Sequence, residues 1–85
     1  MTAQPSLDHG MLEAVLLERA RVEMASGRLD LAQETLRVAA VLLPDAPAPV
    51  RALSELLARR GQTLRSRGLR EIADRLESAL AGGPS

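Results

Sequence analysis

Eighty-five residues are enough for one small domain. With no Cys, a disulfide framework and a thiolate metal site are both excluded, and with no Phe, Tyr or Trp the core must be built from Leu, Val, Ile, Ala and Met. Eleven acids balance eleven Arg, so the formal net charge is zero and nothing draws the chain as a whole to nucleic acid or an anionic membrane. An aromatic-free core is easiest to build from helices, since strands favour β-branched and aromatic side chains. Leu, Ala, Arg and Glu, which dominate the chain, are all good helix formers. The predicted class is all-α, with modest stability, because a chain this short buries only ~60–65% of its unfolded surface.

Along the chain, residues 1–7 (through Pro5) read as a disordered lead-in, with Ser6 or Asp8 available to cap the first helix. Leu12, Val15, Leu16, Arg19, Ala20 and Val22 or Glu23 then recur near the helical period, which predicts a first helix over about 8–26. Its outer face holds Glu13, Glu18, Arg21 and Glu23, and Glu18 with Arg21 forms an i,i+3 pair. Gly27 ends it, supplying the positive φ that a tight connection needs. A second helix follows over about 29–43, with Leu29, Ala32, Leu36, Ala39 and Leu43 on one stripe. Leu31, Val38 and Leu42 widen that stripe, so the helix is expected to be covered on two sides, by the first helix and by something beyond Pro44.

Residues 44–49, PDAPAP, form a stiff turn with Asp45 as a capping candidate, and the third helix starts near Pro47. Val50, Leu53, Leu56, Leu57 and Leu64 continue its apolar face. Either Gly61 ends this helix or it runs on to Arg67. Gly68 reads as the firmer break, giving a fourth helix over about 69–80 on Leu69, Ile72, Ala73, Leu76, Ala79 and Leu80. Residues 82–85 form a flexible tail, leaving 8–81 as a single helical domain.

Charge is divided unevenly. Residues 1–45 carry four Arg against seven acids, and residues 46–85 seven Arg against four acids, which suits head-to-tail association or docking of the halves. All eleven cations are Arg, which a GC-rich genome explains, and a bacterial source is expected. The longest apolar run, 38–44, is far too short to span a bilayer, and the first ten residues lack a signal peptide's basic and apolar regions, so a cytoplasmic location is expected.

Internal repetition appears at an offset of 34 residues, relating Leu16 to Val50, Ala20 to Ser54, Gly27 to Gly61, Ala32 to Ser66, Ala39 to Ala73 and Leu42 to Leu76. Residues 13–46 resemble a tetratricopeptide repeat. Ala20 stands where that family has a small residue in its first helix, Gly27 at its turn, Ala32 and Ala39 at its paired small positions around Leu36, and Pro44 at its closing proline. The departures are aliphatic Leu16, Met24, Leu29 and Leu36 at aromatic positions, and Arg19 at a Leu position. The second unit is degenerate: Arg70 falls at an apolar position and Gly68 inside the second helix, so a longer turn restarting at Gly68 is expected. The resemblance implies four helices in two antiparallel hairpins, stacked with a right-handed twist.

Catalysis is not expected. His9 stands beside Asp8 without convergent ligands or a nucleophile, the hydroxyls of Ser6, Ser26, Thr35, Ser54, Thr63, Ser66 and Ser78 have no activating His, and no phosphate loop occurs. No cofactor or metal site is expected either. Arg59, Arg60, Arg65, Arg67 and Arg70 crowd into one segment that reads as a solvated surface or as a contact for an acidic partner or phosphates. The lack of aromatics removes stacking platforms for single strands. Residues 68–80 also resemble the first helix of a helix-turn-helix, but no second helix follows to enter a groove.

In the tetratricopeptide family, first helices line a concave, peptide-holding groove. The resemblance puts Leu17, Arg21 and Met24 there from the first hairpin and Arg51, Glu55 and Arg59 from the second, beside a helical or extended partner segment. The family's carboxylate-clamp pattern of Asn and Lys is absent. The expected function is a non-catalytic adaptor or chaperone for another protein, a role that type III secretion chaperones of this kind also fill. The alternatives are a nucleic-acid-associated regulator using residues 59–70 and a structural homodimer pairing its acidic and basic halves. Two hairpins fall below the roughly three repeats of a self-sufficient solenoid, which calls for a partner or self-association.

Overall fold

The computed structural model describes residues 9–82, which form four helices: α1 (His9–Ala25), α2 (Leu29–Leu42), α3 (Pro47–Arg59) and α4 (Thr63–Gly82). The expectations for residues 1–8 and 83–85, including the caps from Ser6 or Asp8, and the His9 side chain lie outside the described residues, whereas Gly82, expected in the tail, is the last residue of α4. The protein is all-α, and its extensive helix contacts run in sequence: α1 on α2, α2 on α3, α3 on α4. The result is two antiparallel hairpins joined through the α2–α3 turn.

Each hairpin turn is built the same way. Gly27 has φ +80° and Gly61 φ +83°. The Arg28 N–H donates to Glu23 O at 2.8 Å, and the Gln62 N–H to Leu57 O at 2.8 Å. Gly27 donates to Met24 O at 3.0 Å and Gly61 to Ala58 O at 3.0 Å, while Ala32 donates to Arg28 O and Ser66 to Gln62 O, each at 3.0 Å. This is a Schellman closure, in which the left-handed glycine lets the chain reverse and take up carbonyls the helix end leaves free. The two turns match bond for bond at an offset of 34 residues.

That match corrects the expected helix boundary. α3 ends at Arg59, and α4 runs from Thr63 through Gly68 without a break. Gly68 is helical and exposed, and a Cβ there would meet nothing within 4 Å. A glycine at such a site costs only ~1 kcal/mol relative to Ala, too little to end a helix of twenty residues packed against α3. Leu64 consequently belongs to α4, where it is exposed, not to α3. Asp45 does not cap α3: the N-cap is Ala46, without a side-chain bond, and Pro47 opens the first turn.

The core is a cluster of Ala20, Ala32, Leu36, Leu53, Leu56 and Leu57, with Leu17, Met24, Leu29, Ala52 and Leu69 packed against it. Alanines at 20 and 32 leave room for Leu36, which is 0% exposed at the centre. α1 and α3 cover α2 along Ala32, Leu36, Ala39 and Leu43, but the broader stripe of Leu31, Val38 and Leu42 stays exposed. Glu23, assigned to the outer face from sequence, is buried instead. Thr35 donates to it at 2.7 Å and Arg19 at 3.1 Å, and these bonds keep the carboxylate below its ordinary pKa against the opposing effect of burial.

The hairpins exchange polarity at equivalent depths. Where the first has Glu23 bonded to Thr35, the second has Leu57 and Leu69; where the first has Ala20 and Ala32, the second has buried Ser54 and Ser66. The Ser54 hydroxyl donates to Ser66 O at 2.8 Å, and the two hydroxyls lie 3.1 Å apart. Among the described residues no buried side-chain polar atom lacks a partner.

Candidate binding cleft

Between α1 and α3 lies an open cleft of about 290 Å³. Leu17, Ala20 and Met24 form one wall and Ala52 the other, with Leu36 of α2 as the floor. Arg21 and Glu55 stand at its rim, one charge of each sign. The helical period explains the wall: residues 17, 20, 21 and 24 fall on one face of α1, spaced three and four apart. Its Leu17 and Met24 are half-buried against the core rather than fully exposed, so the apolar lining is held in place by packing.

Four of the six residues assigned to the groove from sequence, Leu17, Arg21, Met24 and Glu55, therefore come together. Arg51 and Arg59 do not line the cleft. Arg51 turns to α4, where its guanidinium bonds Asp74 at 2.9 Å and Glu77 at 2.6 Å; these bonds raise its already high pKa. Arg59 is exposed at the C-terminal end of α3. Ala20, Leu36 and Ala52, which complete the cleft, were assigned no binding role from sequence. Ala52 is one residue from Arg51, a step of ~100° around the helix, and only the packing of α3 on the first hairpin distinguishes the two directions.

The Arg-rich segment is divided. Arg60 reaches back to α2, donating to Asp30 at 2.7 Å and to Gln33 at 2.6 Å, and Arg65 donates to Gln62 at 3.0 Å. Arg59, Arg67 and Arg70 remain exposed. Several hydroxyls have structural tasks: Ser26 donates to Val22 O at 2.9 Å, Thr35 serves Glu23, and Ser54 and Ser66 join α3 to α4. Among the described residues no group of three or more His, Cys, Asp or Glu converges as a metal site, and no helix is long and apolar enough to cross a membrane. No family model matches the chain, and neither a curated protein nor a solved structure shows significant similarity to it.

Proposed function

We propose that this chain is a non-catalytic protein-interaction module, tetratricopeptide-like in design, that holds a helical or extended segment of another protein in the cleft between α1 and α3. The observation that carries this reading is the cleft itself, with apolar walls from Leu17, Met24 and Ala52, an apolar floor from Leu36, and the rim charges Arg21 and Glu55. At about 290 Å³ it sits at the lower edge of the range of small-molecule pockets, ~300–1,000 Å³. One or two apolar side chains of a peptide fill it better than a whole cofactor. The rim charges would fix the register of a segment with a basic and an acidic residue flanking its apolar anchor. The bond-for-bond repetition of the two turns supports the repeat-protein reading.

An adaptor or chaperone role in the cytoplasm follows from this reading, with no cofactor, metal or catalytic step. The nucleic-acid alternative has less support, since Arg60 and Arg65 are engaged within the chain and no aromatic is present to stack on bases.

Affinity capture from native cells tests the proposal, with wild type and the rim variant Arg21→Glu/Glu55→Arg as parallel baits. Both rim residues are exposed, so the variant should retain its helicity by circular dichroism. A partner captured by wild type should be depleted at least tenfold on the variant. Equal recovery on both folded baits would refute the cleft as the binding site.

A further inference from the structure

The two ends of the molecule differ in shape and in charge. At the end where α1 begins, α2 turns into α3 and α4 finishes, there is an open hollow of about 350 Å³. Leu43, Pro44 and Pro47 of the turn and Leu80 of α4 give it apolar walls. Glu13 and Asp45 also line it, and no Arg does. Neither carboxylate has a cationic partner among the described residues.

The opposite end carries a knob. Leu64 lies ~24 Å from Leu80 along α4, just past the Gly61 turn. It is 80% exposed, more than any other large hydrophobic of the described residues. Arg59, Arg65 and Arg67 flank it in sequence, and Arg67 shares its face of α4, three residues on. None of the three pairs with an acid among the described residues; of the cations near this turn only Arg60 does, with Asp30. The nearest acid along α4 is Glu71, seven residues beyond Leu64.

Other exposed apolar side chains lack this bias. On α2, Leu31, Val38, Val41 and Leu42 stand beside Glu34 and Arg37, which already pair with each other at 3.4 Å. On α1, Val15 and Val22 stand beside Glu18 paired with Arg21 and Glu23 paired with Arg19. The hollow and the knob bring unpaired charge of opposite sign to apolar surfaces of opposite shape.

We infer that copies of this chain associate end to end, with Leu64 of one copy seated in the hollow of the next. The aliphatic stems of Arg65 and Arg67 lie along the apolar walls, and their guanidiniums reach Glu13 and Asp45. Because each copy has one knob and one hollow at opposite ends, the contact is heterologous, and assembly lengthens rather than closing at a dimer. No residue lining the α1–α3 cleft takes part, so the assembly does not depend on the role proposed for the cleft.

Sedimentation velocity on the full chain over a wide concentration range tests this. The wild-type mass should climb past twice the 9.1 kDa of one chain without a plateau. Leu64→Asp removes the knob, and Asp45→Arg/Leu80→Arg makes the hollow repel it; all three positions are exposed, so helicity should be retained. Either variant alone should sediment as a single chain where wild type is assembled. Mixed in equal amounts, they offer one intact hollow to one intact knob, and a dimer should form with nothing larger. Single-chain mass for wild type at every concentration, the result if another segment fills the hollow, overturns the proposal. So does wild-type growth that stops at a dimer, undiminished association of either helical variant, or a mixture that forms no dimer.

Discussion

Gly61 and Gly68 should respond in opposite directions to the same substitution. At Gly61 the backbone has φ +83°, and an L-residue there costs ~1–2 kcal/mol. Alanine regains part of that, ~0.4–1 kcal/mol, by restricting the unfolded chain. Gly61→Ala should therefore destabilise the protein by about 1 kcal/mol. At Gly68 the backbone is helical and a Cβ would meet nothing within 4 Å, so Gly68→Ala should stabilise by about 1 kcal/mol. In a domain of this size 1 kcal/mol corresponds to a Tm shift of ~4–8 °C, so the variants should separate by ~8–16 °C around wild type. Thermal unfolding followed by circular dichroism at 222 nm reads this directly. Equal shifts, or a more damaging change at Gly68, would mean that the chain turns at Gly68 and that the matched turns are misassigned.

Other outcomes follow from the core. Leu36→Ala, at a side chain with no exposure, should cost ~2–5 kcal/mol in urea unfolding, and Leu36→Asp should abolish the cooperative transition by burying an unpaired charge. Ser54→Ala alone should cost ~1 kcal/mol by leaving the Ser66 hydroxyl without its partner, whereas Ser54→Ala/Ser66→Ala, which reproduces the alanine pair of the first hairpin, should be closer to wild type; additive losses would contradict this. Because the folded state lowers the pKa of Glu23, its contribution is complete above the unfolded value, ~4.3, and is lost as pH falls through the folded one. Glu23→Gln should accordingly show a flatter decline of Tm below that pH than wild type, and parallel declines would place the acid sensitivity elsewhere.

Much of this architecture is legible in the chain. Gly27, Pro44 and Pro47 mark their turns because each has a backbone constraint that no packing can override: a left-handed φ for one, a fixed φ and a missing donor for the others. The second glycine turn was obscured by competition between local signals. Gly61 and Gly68 are alike to a propensity argument, and only the Schellman bonds of Leu57 and Ala58 with Gln62 and Gly61 separate them. Glu23 illustrates the opposite limit. A carboxylate on an amphipathic helix reads as surface, yet Thr35, twelve residues away, supplies the bond that lets it be buried. The cleft was half legible for a related reason. Leu17, Arg21, Met24 and Glu55 are what the tetratricopeptide resemblance implies for the groove, while the direction of Arg51 is decided by Asp74 and Glu77, more than twenty residues further along.

The proposed role requires that the α1–α3 cleft receive a segment of another protein. A photoreactive amino acid placed in turn at Arg21, Glu55 and Arg75 tests it in the native cell. Arg21 and Glu55 stand at the cleft rim, and Arg75 is an exposed position of α4 outside its lining. The expected result is the same cross-linked partner from Arg21 and Glu55, through one peptide of that partner, and none from Arg75. Capture of that partner from Arg75 alone, or from all three positions equally, would contradict it.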